Sequence, residues 1–296
     1  MSVLVVGAAG FLGRAVTARL QQRGLAWSGW SRSGSHGTRK VDVLRDALPA
    51  LPEDLSAVIH LAAHAVPHAS FGPREAQENE QLCARVLQHL GSRRVRWVYA
   101  SSAHVYAPSD VPHHETDSTA PPSLYGHSKL ACERLCTTAT HLDRRIARLF
   151  GSVGPGLPRG LMLTDALEQA LSGCNPIRMR GPDGWRDLMA VDDAAEALVR
   201  LAVELTSLPE DDDGLRVVNV ASGQARRSSE LVATMCAALP RSTAMPLAID
   251  WPSGEARPVL ASVERCRNHL GFTPTADLSE ALHALAHHAY AVHHSQ

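Results

Sequence analysis

SVLVVGAAGFLGRAV, residues 2–16, joins a short apolar run to three glycines and then to a helical pattern. Ser2 to Gly7 is β-branched and apolar without alternation, the composition of a strand buried on both faces of a parallel sheet. Gly7, Gly10 and Gly13 follow, and apolar residues then recur at helical spacing through Val16, Ala18 and Leu20. A glycine turn that opens a helix leaves backbone N–H groups unpaired at the positive end of the helix dipole, where a pyrophosphate can approach. The spacing is G-x-x-G-x-x-G, not the G-x-G-x-x-G of the standard dinucleotide fingerprint.

Downstream, strands alternate with helices. Leu25–Trp30, Ala57–Leu61 and Val95–Ala100 read as strands, and helical patterns span 14–23, 75–90 and 124–140. This alternation predicts an α/β fold: a Rossmann-type doubly wound parallel sheet with its ligand at the carboxyl ends of the strands. A dinucleotide-binding domain is expected over 1–150, with 187–221 returning to it, and a smaller substrate-binding lobe over 151–296. Asp110–Pro122 (DVPHHETDSTAPP) is a polar, proline-bearing loop expected to lie over the site and gate it.

Within SLYGHSKLACERL, residues 123–135, Tyr125 and Lys129 stand four apart and share one face of a helix. A buried ammonium beside a phenol stabilises the phenolate, so Tyr125 is expected to titrate closer to neutrality and to serve as proton donor and acceptor. Ser102, at the end of the preceding strand, is expected to face the crevice and stabilise negative charge developing on a substrate oxygen. Its neighbour Ser101 is expected to pack against the cofactor at backbone level.

With these segments, HLAA at 60–63, Asn79, SSAHVY at 101–106 and RLFGSVGPG at 148–156 extend the pattern, as do RDLMAVDDAAEAL at 186–198, VVNVASG at 217–223 and LGFTPTADLSEAL at 270–282. Nearly the whole chain resembles the extended short-chain dehydrogenases/reductases of the NAD-dependent epimerase/dehydratase group, enzymes acting mostly on nucleotide-linked sugars. The resemblance implies that Tyr125 is the catalytic acid/base, Lys129 its partner and a ligand of the cofactor ribose, and Ser102 a hydrogen-bond partner of the reacting sugar oxygen. It implies cofactor contacts from Gly7, Gly10, Phe11, Leu12 and Gly13, from Asp42 and Val43 at the adenine, from Leu61, Ala62 and Ala63, and from Ser101 and Phe150. Arg186 and Arg257 match the arginines that contact the nucleotide diphosphate. Gly151 departs from the asparagine that the family's epimerases commonly carry there, and His64 and His104 are expected to fill the space. The family also commonly forms homodimers through the helices near 75–90 and 124–140. Here Leu82, Val86 and Leu90 on the first, with Leu135, Cys136 and Ala139 on the second, are the expected contacts.

The second strand ends GWSRSGS, placing Ser31, Arg32 and Ser33 where an enzyme preferring NAD usually has an acidic residue. A guanidinium and two hydroxyls suit a 2′-phosphate better than a diol, so NADP is expected, with NAD possible. The family's dehydratases follow the catalytic hydroxyl with Asp-Glu, whereas this chain has Ala103 and His104. The leading expectation is reduction of a nucleotide-linked 4-keto-6-deoxy sugar by NADPH, with Tyr125 as proton donor. The alternatives are a nucleotide-sugar 4-epimerase with tightly bound NAD and a non-catalytic dinucleotide-sensing regulator.

Composition narrows the partners. Lys and Arg total 29 against 30 Asp and Glu, so no bulk field favours nucleic acid or a membrane surface. The six cysteines lack C-x-x-C spacing and read as reduced thiols of a cytoplasmic protein. With the first strand starting at residue 2 or 3, no signal peptide is expected, and no apolar run approaches the roughly 20 residues of a membrane span. The 16 histidines include His283 and His287 on one helix face, but no companion ligands complete a metal site, and none is expected.

Overall fold

In the computed structural model, which describes residues 1–65, 71–240 and 247–295, the opening apolar run is strand β1 (Ser2–Val6), and helix α1 (Phe11–Gln22) follows the glycine turn. The alternation continues through β2 (Ala26–Ser31), β3 (Arg39–Lys40), β4 (Leu55–His60), α2 (Pro73–Leu90), β5 (Arg96–Ser102), α3 (Leu124–Thr138) and β6 (Asp143–Leu149). Next come β7 (Ser152–Val153), α4 (Met162–Leu171), β8 (Ile177–Arg178), β9 (Trp185–Asp187), β10 (Met189–Ala190), α5 (Val191–Val203) and β11 (Arg216–Val220). The last elements are β12 (Ala225–Arg227), α6 (Ser228–Ala237), β13 (Ile249–Asp250), α7 (Glu264–Leu270) and α8 (Leu278–His294). No helix among the described residues is long and apolar enough to cross a membrane.

Seven strands pair in parallel in the order β11-β6-β5-β4-β1-β2-β3. Chain direction across the sheet reverses between β1 and β4, which makes their carboxyl ends the natural mouth of a binding crevice. Alternate residues of β1 serve opposite faces: Val3 and Val5 join one core with α1 and α5, while Leu4 and Val6 join another with α2 and α3. Helix α5 carries Ala194, Ala195, Ala197 and Ala202 fully buried, and these small side chains let it lie close to the sheet. A third core, around Leu167, Ile177, Met235 and Leu285, holds together α4, α6 and α8.

Several sequence expectations need correction. Helix α1 begins three residues before position 14, because Gly13 sits inside its first turn and presses on the preceding backbone. The segment around α7 was expected in the second lobe, but Cys266, Leu270 and Phe272 bury against the α1–α5 face of the main sheet. Val86, Leu90, Cys136 and Ala139, read as dimer contacts, instead pack beneath their own helices on the sheet, with Leu82 and Leu135 partly buried beside them.

At the end of β4, His60 is 1% exposed and stacks between Trp97 and Tyr99, with ring centroids at 5.2 and 5.9 Å. Neither of its nitrogens has a hydrogen-bond partner among the described residues. Burial, and secondarily the charge on Lys129, pulls its pKa from 6.5 down to about 3. Between those values the unfolded chain binds the proton and the folded chain does not. Stability is therefore fully present above pH 6.5 and declines as the pH falls toward 3, by up to about 1.4 kcal/mol per unit. His60→Phe removes two orphaned nitrogens and keeps a stackable ring. Thermal melts should show a smaller loss of Tm for the variant than for the parent on going from about pH 7 to about pH 5; equal losses would show that His60 does not set the acid response.

Candidate active site

Where β1 meets α1, the glycines are required by space. Gly7 adopts φ +91°, and a Cβ on it would lie 2.7 Å from the Ala62 nitrogen. A Cβ on Gly13 would approach the Gly7 carbonyl oxygen to 2.3 Å. Gly10 is the N-cap of α1 and provides no side-chain cap, so the amides of Phe11 and Leu12 open the positive end of that helix. This backbone cradle fits a dinucleotide pyrophosphate.

A cleft of about 550 Å³ extends from the cradle. Gly7, Gly10, Ser31, Arg32, Ser33, Asp42, Val43, Leu61, Ala62 and Ala63 line it, and so does His64, which sequence reading assigned to the substrate side. The two serine hydroxyls have local partners: Ser31 Oγ accepts from the Gly34 amide at 2.9 Å and bonds Thr38 Oγ1 at 2.6 Å, and Ser33 Oγ bonds Ser35 Oγ at 2.7 Å. They shape the turn that presents Arg32. Arg45, missed in the sequence, lines the same end, with its Nε 3.8 Å from Asp42.

At the other end of the crevice Ser102 closes β5, its Oγ accepting from the His104 amide at 3.2 Å. Ser123 caps α3 by accepting from the Gly126 amide at 3.2 Å. A Cβ on Gly126 would collide with the His104 carbonyl oxygen, so this glycine lets the first turn of α3 press against residues 103–105. The contact brings the Tyr125 phenol beside Ser102, close enough for the serine hydroxyl to favour the phenolate against the larger effect of burial. The rings of Phe71 and His104 meet Tyr125 edge-on, each with centroids 5.5 Å away.

Lys129 shares the buried face, but the expected depression of the tyrosine pKa is not found. Its Nζ donates to the Ala100 carbonyl at 2.8 Å and lies 6.0 Å from the centre of the Tyr125 ring. Burial pushes the Tyr125 phenol up to about 12, opposed only by the Ser102 hydrogen bond. Lys129 is itself shifted down by burial. His104 keeps solvent contact as a residue, yet burial of its ring, and then the charge on Arg186, holds its pKa below the usual value.

Ser101 points away from the crevice and donates to Glu133, which also receives Arg148 Nε at 3.1 Å and Nη2 at 2.8 Å. The 110–122 loop is a strut, not a free gate. Arg148 Nη1 donates to the Glu115 carbonyl at 3.1 Å, and the His113 amide donates to the Leu260 carbonyl at 3.0 Å. Phe150 packs against Tyr106 and beside Ala221, Ala261 and Val263.

A second cavity of about 400 Å³ holds Arg186, and with it Arg178, Arg180 and Trp251, which sequence reading missed. Arg257 is not part of this lining; its carbonyl accepts from Arg186 Nη1 at 3.2 Å. Asp165 lines the hollow too and pairs with Arg180 Nε at 3.1 Å, which leaves a net positive charge suited to a diphosphate. The space expected beside Gly151 is taken by Leu188, whose Cδ2 lies 2.3 Å from where a Cβ would stand. His64 is held elsewhere, with Nε2 at 2.7 Å from Glu78 and its backbone gripped by Asn79.

Comparison with known proteins agrees with this geometry. The family model described as NAD dependent epimerase/dehydratase family matches residues 3–221. The GDP-6-deoxy-D-mannose reductase of Pseudomonas aeruginosa is 31% identical over 246 residues, covering 78% of this chain and 77% of that protein. MoeE5 in complex with UDP-glucose and NAD is similar with a TM-score of 0.82 at 27% identity, covering 99% of both chains. RMD from Pseudomonas aeruginosa complexed with NADPH gives 0.80 at 26% identity, covering 98% of both.

Because a Cβ on Gly13 would strike main chain and not a movable side chain, Gly13→Ala must open the turn. Overpacking of this kind costs about 1–3 kcal/mol, so affinity for the reduced nicotinamide dinucleotide should fall roughly tenfold or more in a fluorescence titration. Unchanged affinity would show that the turn does not set the phosphate cradle.

Proposed function

This chain belongs to the NAD-dependent epimerase/dehydratase family, and we propose that it reduces a nucleotide-linked 4-keto-6-deoxy sugar with NADPH. The observation that carries the reading is the placement of the buried Tyr125 phenol against the carboxyl end of β5, beside Ser102, by the close approach that Gly126 allows. The phenolic proton is present at that place for transfer to a ketone oxygen as hydride arrives, which is what reduction asks of an acid there. Arg32 and Arg45 at the far end of the cleft favour a 2′-phosphate, and NADPH suits an enzyme that exchanges its oxidised cofactor at every turnover. The relationship to GDP-6-deoxy-D-mannose reductase supports the same direction.

When bound, the nicotinamide supplies the hydride. Tyr125 donates its phenolic proton to the sugar carbonyl oxygen, while Ser102 hydrogen-bonds that oxygen and disperses the charge gathering on it. The phenolate left behind is favoured by the Ser102 hydroxyl, while Lys129 stays on the Ala100 carbonyl, 6.0 Å from the ring centre. Arg178, Arg180 and Arg186 grip the diphosphate, and Leu188 presents an apolar surface where the epimerase asparagine amide would be.

The second reading, a nucleotide-sugar 4-epimerase with tightly held NAD, is favoured by the likeness to MoeE5 in complex with UDP-glucose and NAD. Incubating the protein with UDP-glucose, UDP-galactose, or a nucleotide-linked 4-keto sugar plus NADPH separates the two. Net NADPH consumption with the keto sugar supports reduction; interconversion of the UDP-hexoses without it supports epimerisation.

Tyr125→Phe should retain cofactor and lose roughly 10²–10⁴ in kcat, the scale for a positioned acid/base; full activity in this variant would end the mechanism. Arg32→Ala should lower kcat/KM with NADPH by roughly 10- to 100-fold, the loss of one charged hydrogen bond, and leave NADH nearly unaffected. Equal wild-type efficiency with both cofactors would remove the argument from Arg32.

A further inference from the structure

Helix α3 buries a third polar side chain in line with Tyr125 and Lys129. Glu133 follows at the next four-residue step, is 3% exposed, and so continues the same face one turn deeper. It accepts from three directions: Ser101 Oγ on β5, and Arg148 Nε and Nη2 on β6. Ser101 and Arg148 are themselves register partners across the β5–β6 ladder. Arg148 is fixed in turn, with its guanidinium 4.8 Å from the Tyr106 ring centroid and Nη1 on the Glu115 carbonyl. Tyr106 donates to Asn219 Oδ1 at 2.6 Å, and Asn219 Nδ2 donates to the His113 carbonyl at 2.8 Å.

A buried ion pair adds little net stability over well-packed apolar residues of similar volume, so its distinctive contribution is directional. Adjacent residues of a strand point to opposite faces. A bond that fixes Ser101 beneath the strand end therefore fixes Ser102 above it. We propose that Glu133 is a positioning residue: through its hydrogen bond from Ser101 it sets the end of β5 so that the Ser102 hydroxyl meets the Tyr125 hydroxyl. The inference rests on the reading of Ser102 and Tyr125 as the proton-handling pair.

Ser101→Ala tests it without leaving Arg148 unpaired. In the nucleotide-sugar reaction that the wild type performs, kcat should fall roughly 10- to 100-fold, as expected for misplacement on the scale of an ångström. KM and the NADPH dissociation constant should stay within about twofold, because neither binding surface is touched. Ser101→Thr, which restores the hydroxyl, should recover most of kcat. Wild-type kcat in Ser101→Ala, or a loss spread equally over kcat, cofactor affinity and Tm, would overturn the proposal in favour of a merely structural pair. A crystal structure of Ser101→Ala provides an arm that needs no substrate. A wider separation of the Ser102 and Tyr125 hydroxyls than in the wild type supports the inference, and an unmoved pair overturns it. A wild type that turns over no nucleotide sugar would defeat the functional reading, while the crystallographic result would still decide this one.

Discussion

A helix that buries a phenol, an ammonium and a carboxylate on one face can dock in few ways, because each group needs a partner where water is excluded. Helix α3 meets that constraint at the carboxyl end of β5. Tyr125 finds Ser102, Lys129 finds the Ala100 carbonyl, and Glu133 finds Ser101 and Arg148. Three consecutive residues of one strand thus answer three steps along one helix. The absence of a side chain on Gly126 allows the close approach that this matching needs. The rest of the site is arranged around the junction, with the glycine cradle on one side and the arginine-lined cavity at the other.

The consequence for chemistry lies in the protonation state of Tyr125. The ammonium of Lys129 is directed at a backbone carbonyl, and burial dominates the phenol, which keeps its proton at neutral pH. In the proposed reduction that proton goes to the sugar oxygen. In the same proposal the Arg32–Arg45 end of the cleft and the three arginines of the second cavity divide the anionic load, one pair toward the cofactor and the other set toward the nucleotide sugar. On that reading a near-neutral chain binds two polyanions through local clusters instead of an overall field.

Short-range patterns made much of this legible before any coordinates. The β1 run and its glycines, the alternation of strands with helices, and the four-residue step from Tyr125 to Lys129 each depend on residues close in sequence. The chain accordingly belongs to the family those motifs resembled. What was hidden depends on long-range contacts. Glu133 receives its arginine from β6 and its serine from β5, Leu188 fills the space at Gly151 from across a strand pair, and α7 returns to the main sheet. Apolar spacing on α2 and α3 was visible, but spacing alone cannot say whether Val86 and Cys136 face a partner or their own sheet; they face the sheet. The pKa of Tyr125 was misjudged for a related reason, since sequence places Lys129 on the right face without telling which acceptor its ammonium takes.

The account turns on the direction in which hydride moves between cofactor and sugar. NADPH carrying deuterium on the transferred side of its nicotinamide, supplied with a nucleotide-linked 4-keto-6-deoxy sugar, reports that directly by mass spectrometry and NMR of the product. The account predicts a sugar with a single deuterium at C4, formed in step with oxidation of NADPH. Unlabelled product, or interconversion of C4 epimers with the NADPH left unoxidised, would contradict it.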